Sequence, residues 1–188
     1  MSQTRLLVLV GSLRAASINR RLAEAAVQTA PEGVDITIYE GLGDIPFYNE
    51  DLDVPGEAPA AAQALRDAVG QADGLLLVTP EYNGTLPAVL KNAIDWASRP
   101  YGVGALKGRP VAVISASISS NAAKWSHGDA VKALGVAGAE VLGDASLNFG
   151  GIGQRFAETH PADDAEALTQ LAGTVHLLAE AAKAHANA

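Results

Sequence analysis

Residues 6–19, Leu6-Leu7-Val8-Leu9-Val10-Gly11-Ser12-Leu13-Arg14-Ala15-Ala16-Ser17-Ile18-Asn19, decide how this chain is read. Leu6 to Val10 is continuously aliphatic, as expected of a strand buried on both faces in a parallel sheet. A helical pattern follows from Ser17 to Thr29, with Ile18, Leu22 and Ala26 at i, i+4 and i+8, ending before Pro31. The loop between them sits where unpaired N–H groups and the helix dipole favour an anion. Ser12 and Ser17 add hydroxyl donors, Asn19 an amide, and Arg14 a charge-assisted bond. The dinucleotide pattern G-x-G-x-x-G and the Walker lysine pattern are both absent, so a monophosphate fits better than a pyrophosphate or triphosphate. A plain helix cap at Ser17 beside a solvated Arg14 is the other reading this loop leaves open.

Outward from this stretch, strand-length apolar runs alternate with helical patterns. Strands are expected at Leu6–Val10, Val34–Tyr39, Gly74–Thr79, Val111–Ser115 and, more weakly, Ala139–Leu142. Helices are expected over Ser17–Thr29, Ala58–Ala72, Pro87–Ser98, Asn121–Ala137 and Asp163–His185; the last carries Leu168, Leu171, Val175 and Leu178 as a seam. Five strand–helix units with right-handed crossovers imply one α/β domain over residues 1–188, a five-stranded parallel sheet with helices on both faces. In such a sheet, ligands bind beyond the carboxyl ends of the strands where the strand order reverses. The loops after the first, third and fourth strands should therefore hold the chemistry.

After the third strand stands Pro80-Glu81-Tyr82-Asn83-Gly84-Thr85-Leu86-Pro87. Asn83-Gly84 permits a turn with positive φ, Thr85 is a candidate cap for the next helix, and Pro87 suits its first turn. Such a rigid loop can present N–H groups to the edge of a planar heterocycle, with Tyr82 beside it.

GSLRAASIN at 11–19, PFYNEDLD at 46–53 and PEYNGTLPAVLKNAIDWASRP at 80–100 together resemble the NADPH-dependent FMN reductase family, whose members include enzymes described as chromate, azo-dye and quinone reductases. The similarity covers nearly the whole chain in order and spacing. It implies a flavodoxin-like three-layer sandwich with strand order 2-1-3-4-5. It also implies FMN as cofactor, NAD(P)H as reductant, a small-molecule electron acceptor, and a homodimer or homotetramer. Carried over by position, Ser12, Arg14, Ser17, Ile18 through its backbone, and Asn19 would hold the phosphate. Pro80, Glu81, Tyr82, Asn83 and Gly84 would line the isoalloxazine ring.

The loop after the fourth strand departs from that pattern. The family places glycines there, with a Gly-Gly pair opening the next helix, whereas Ser115-Ala116-Ser117-Ile118-Ser119-Ser120-Asn121-Ala122-Ala123 has none. Added Cβ atoms restrict the backbone and narrow any approach to a bound ring. Ser115 and Ser117 are candidate cofactor donors there. His127 reads as a solvated helix-edge side chain and Trp96 as core or subunit-interface packing. The acidic stretch Asp44, Glu50, Asp51 and Asp53 reads as a solvated loop, Asp163 and Asp164 as the start of the last helix.

Composition narrows the function classes. A net charge of −8 with 18% charged residues gives no basic footprint for nucleic acid or an anionic membrane surface. With no cysteine, thiolate nucleophiles, disulfides and Cys-based metal centres are excluded, so redox chemistry must come from a bound cofactor. The run after Arg5 is too short for a secretory signal, no stretch approaches a membrane span, and the cytoplasm is the expected compartment. Two other classes remain open at this point: a flavodoxin-like electron carrier, and a non-catalytic flavin-binding regulatory protein.

Overall fold

The computed structural model describes residues 3–187. Six strands form one parallel sheet: β1 (Thr4–Val10), β2 (Val34–Ile38), β3 (Gly74–Thr79), β4 (Pro110–Ala116), β5 (Glu140–Val141) and β6 (Leu147–Phe149). The order is β2-β1-β3-β4-β5, with β6 also on β4. The expected fifth strand is split. β5 pairs with the start of β4 (Pro110 with Glu140) and β6 with its end (Ile114 with Leu147). A helical turn at Gly143–Ala145 interrupts the edge position between them. The apolar run Ala139–Leu142 showed only the first half.

Side-chain alternation along the central strands divides the interior into two cores. Leu6, Val8, Val10, Leu76, Val78, Ala112 and Ile114 face one side. There they meet α1 (Ile18–Gln28) and α6 (Ala165–Ala186). Leu7, Leu9, Leu75, Leu77, Val111 and Val113 face the other, against α2 (Ala60–Gln71), α3 (Ala88–Ala97) and α4 (Lys124–Val136). A one-turn helix, α5 (Ile152–Arg155), precedes the last long one. Asp164 caps α6 by accepting from Ala167 N–H at 2.9 Å, while Arg155 donates to the same carboxylate at 2.8 Å. That pairing holds Asp164 well below the usual carboxylate range, at about 2. No helix among the described residues is long and apolar enough to cross a membrane.

The segment after β2 is fastened by α3. Asn92 accepts from Tyr48 N–H at 2.8 Å and donates to Pro46 O at 3.0 Å, and Trp96 Nε1–H donates to the same carbonyl at 2.8 Å. Asp53 is not simply solvated: it pairs with Arg66 at 2.8 Å. Trp96 is fully buried core, the first of the two roles the sequence left open.

Candidate active site

Three loops converge at the carboxyl end of the sheet, and the packing of Gly11 shows how closely. Its N–H donates to Val78 O at 2.8 Å, joining the end of β1 to β3. A Cβ there would lie 2.6 Å from Leu90 Cδ1 and 3.1 Å from Pro80 Cδ, so glycine is what lets the first loop close against the third-strand loop. From the other side, Asn19 in the first turn of α1 donates to Ala116 O at the end of β4, at 3.4 Å.

Within the first loop, Ser17 is the N-cap of α1, its Oγ accepting from Arg20 N–H at 3.3 Å. Its O–H remains available as a donor. Ile18 and Asn19 open the helix, ahead of its internal ladder, so their N–H groups point out of its N-terminus. Asn19 is buried and its Oδ1 has no partner among the described residues. A buried carbonyl without a donor is costly, and a bound hydroxyl-bearing ligand would relieve it. Ser12 and Arg14 line a cleft of 570 Å³ between this loop and the turn after β2. Arg14 is exposed and has no ion-pair partner among the described residues.

The second loop is a tight turn. Tyr82 and Thr85 exchange N–H to O bonds of 3.1 and 3.3 Å, with Asn83 at φ 52° and Gly84 at φ 76° between them. Positive φ at both central positions is what an Asn-Gly pair supplies. Pro80 is fixed by a buried hydroxyl pair: Thr79 Oγ1 and Ser126 Oγ each donate to its carbonyl at 2.8 Å. One expectation is corrected here and one side chain proves to be committed. Thr85 does not cap α3; Pro87 is held extended at that cap, and Thr85 Oγ1 donates instead to Asp129 of α4 at 2.6 Å. The Glu81 carboxylate turns away from the turn to accept from the N–H groups of Trp125 and Ser126, at 3.1 and 3.2 Å, capping α4.

The third loop explains why α4 begins at Lys124 and not at Asn121. Ala122 and Ala123 both sit at φ 56°, in the left-handed region that cannot begin a right-handed helix. Ser115 is wholly buried; its hydroxyl donates to Ala122 O at 2.8 Å and accepts from Asn148 at 2.6 Å. Its expected availability to a ligand is therefore spent on holding the loop. Ser117 is less buried and shares a 3.0 Å bond with Ser119. His127 is not a free helix-edge residue: its Nδ1 lies 3.0 Å from Asn148 Nδ2, and burial pushes its imidazole below the ordinary range. An Asn148 N–H facing Nδ1 leaves the ring proton on Nε2.

The left-handed alanines yield a first prediction. Glycine at Ala123 would relieve about 1–2 kcal/mol of left-handed strain, while losing a buried methyl worth ~0.8 kcal/mol and gaining roughly 0.5–1 kcal/mol of unfolded-chain freedom. The terms nearly cancel, so Ala123→Gly should shift urea stability by less than about 0.5 kcal/mol. At Ala130, equally buried but helical, nothing offsets the losses, and glycine should cost about 2 kcal/mol. Equal losses at both positions would refute the strain at 123.

Comparison with known proteins fits this geometry. The family model for NADPH-dependent FMN reductase matches residues 4–154. The chain belongs to that family. FMN and NAD(P)H are the family's cofactors. A 2-hydroxy-1,4-benzoquinone reductase from Burkholderia sp is 43% identical over 116 residues, 62% of either chain. A quinone reductase from Pseudomonas putida is 49% identical over 111 residues, 58% of either. The matched stretches thus cover about three fifths of the length of these two relatives. Among solved structures, the flavoenzyme NAD(P)H:(acceptor) oxidoreductase FerB of Paracoccus denitrificans superposes with a TM-score of 0.79 and 29% identity, over 97% of this chain and 98% of its own.

Proposed function

We propose that this FMN-reductase family member holds FMN across its first and second loops and uses NAD(P)H to reduce a small acceptor of the quinone class. The observation that carries the reading is the contact of the two loops at Gly11 and Pro80, with the unpartnered Asn19 carbonyl buried beside them. The donor set fits a mononucleotide. Ser12, Arg14, Ser17 and the Ile18 N–H suit a phosphate, and Asn19 Oδ1 requires a donor of the kind a ribityl hydroxyl provides. Pro80, Glu81, Tyr82, Asn83 and Gly84 would line the ring, Glu81 through its backbone since its carboxylate caps α4. Ser117 remains a candidate contact, and Ser115 supports the loop from behind.

Bound FMN would supply hydride acceptance and release, the net reaction being quinone plus NAD(P)H plus a proton to hydroquinone plus NAD(P)⁺. The chain's part is to anchor the phosphate, orient the ring with a preformed turn and leave one side open to reductant and acceptor. Purified protein loaded with FMN should be yellow and should bleach when mixed anaerobically with NADPH or NADH. A chain that binds FMN but stays oxidised would be an electron carrier or a regulator; one that binds no FMN would end the proposal.

The same reading places the enzyme in the cytoplasm, without nucleic-acid or membrane partners, in keeping with its acidic charge. A homodimer is supported by the groove of 810 Å³ between α3 and α4 and by exposed Tyr101 and Val136 that line it. Sedimentation velocity of the FMN-loaded protein decides this, and a monomer at micromolar concentration would sink it.

A further inference from the structure

Trp125 is a large aromatic that the fold places beside the turn after β3 without covering it. It stands in the first turn of α4 and is 64% exposed, while the chain's other tryptophan, Trp96, is completely buried. Leaving an indole in water forgoes one of the largest apolar burials a side chain offers. Nor is its position loose. Its backbone N–H donates to Glu81, the next residue is tied through Ser126 Oγ to Pro80 O, and the left-handed Ala122-Ala123 pair fixes the angle at which α4 enters.

The indole packs on the bare face of the turn. A Cβ on Gly84 would lie 3.5 Å from Trp125 Cε3, ordinary van der Waals contact, and no side chain intervenes. Tyr82, two residues earlier, is 48% exposed. Two wet aromatic side chains thus flank the same four-residue turn, the one proposed to receive the ring. A planar π-system entering there would find an indole carried on a backbone already fixed, so that only side-chain freedom is lost on stacking.

We propose that Trp125 is a specificity-determining residue that forms a wall of the acceptor site and favours planar aromatic acceptors, quinones above all, by stacking. The assignment rests on the flavin-reductase reading and goes beyond it, by naming the residue that selects the acceptor class. Because Trp96 is sealed in the core, Trp125 also reports its own occupancy through fluorescence.

The test uses the FMN-loaded, oxidised enzyme and 1,4-naphthoquinone. Without any reductant, naphthoquinone should quench the exposed tryptophan along a saturating curve, whereas acrylamide should quench it linearly. Trp125→Phe should abolish the saturable component. In turnover, Trp125→Ala should raise KM for naphthoquinone about fivefold or more, with Trp125→Phe recovering most of the loss. Reoxidation by ferricyanide, which has no face to stack, should change less than twofold. Linear quenching by naphthoquinone overturns the proposal, as does an equal loss with both acceptors or protection of Trp125 from acrylamide in the free enzyme. Failure of the wild type to bleach with NAD(P)H overturns the functional reading instead, and the quenching curve is measured independently of it.

Discussion

Trp96→Ala is expected to destabilise the protein by about 3–5 kcal/mol, the range for emptying a buried aromatic site. The side chain is wholly buried and fills the space between α3 and the segment after β2. Tyr48 meets it edge-on at 5.0 Å and the Arg66 guanidinium lies 5.1 Å from the ring. Its Nε1–H shares the Pro46 carbonyl with Asn92, so truncation also strips one of two donors from that oxygen. Trp96→Phe separates the parts: it keeps much of the volume, loses the bond, and should cost nearer 1–2 kcal/mol, about one hydrogen bond plus a modest void. Urea unfolding followed by circular dichroism gives both values. A cost below about 1 kcal/mol for Trp96→Ala would mean that the segment after β2 is not fastened there.

The same cluster shows what the sequence disclosed and what it hid. Continuous aliphatic runs announce strands buried on both faces, which is why β1, β3 and β4 were legible to within a residue or two. Trp96 was readable as buried, but its partner was not. Nothing local links Asn92 or Trp96 to Pro46, because that bond forms only once α3 packs across the chain. The split edge strand was missed for a related reason. Edge positions are half covered and need no long apolar run, so Leu147–Phe149 left too short a signal.

At the site, backbone-determined features were readable and side-chain commitments were not. Asn83-Gly84 dictates positive φ through local sterics, and the turn forms there. Ser17 caps α1 because a short hydroxyl reaches its own helix. Glu81, Ser115 and Thr85 looked like ligand or cap residues from their loops, yet each spends its polar group on an element distant in sequence: α4, β6 with the third loop, and Asp129. Alanines at 122 and 123 suggested a longer helix because alanine favours one, and the tertiary fit overrode that preference.

Arg14 should prove the strongest single determinant of FMN affinity on the chain. Three arginines lie near the first loop, and two are already committed. Arg20 binds Glu40 at 2.9 Å and Glu24 at 3.0 Å, and Arg21 donates to Phe156 O at 2.8 Å. Arg14 alone of the three has no such partner among the described residues, and it faces the cleft beside Ser12. In a chain of net charge −8 a phosphate dianion meets long-range repulsion, so one uncompensated guanidinium nearby weighs heavily. Its loss should cost about 1.5–3 kcal/mol, raising the FMN dissociation constant roughly 10- to 150-fold. Arg14→Lys keeps the charge but not the planar fork and should fall between. Arg21→Ala is the control: its guanidinium is spent on Phe156 O and does not line the cleft, so its removal should move the constant by less than about threefold. Titrating the apoprotein with FMN by fluorescence at fixed ionic strength measures all three, and raising salt should narrow the gap between wild type and Arg14→Ala. An unchanged dissociation constant in Arg14→Ala would remove the phosphate from the first loop. Without that anchor, the turn after β3 would have no mononucleotide to receive.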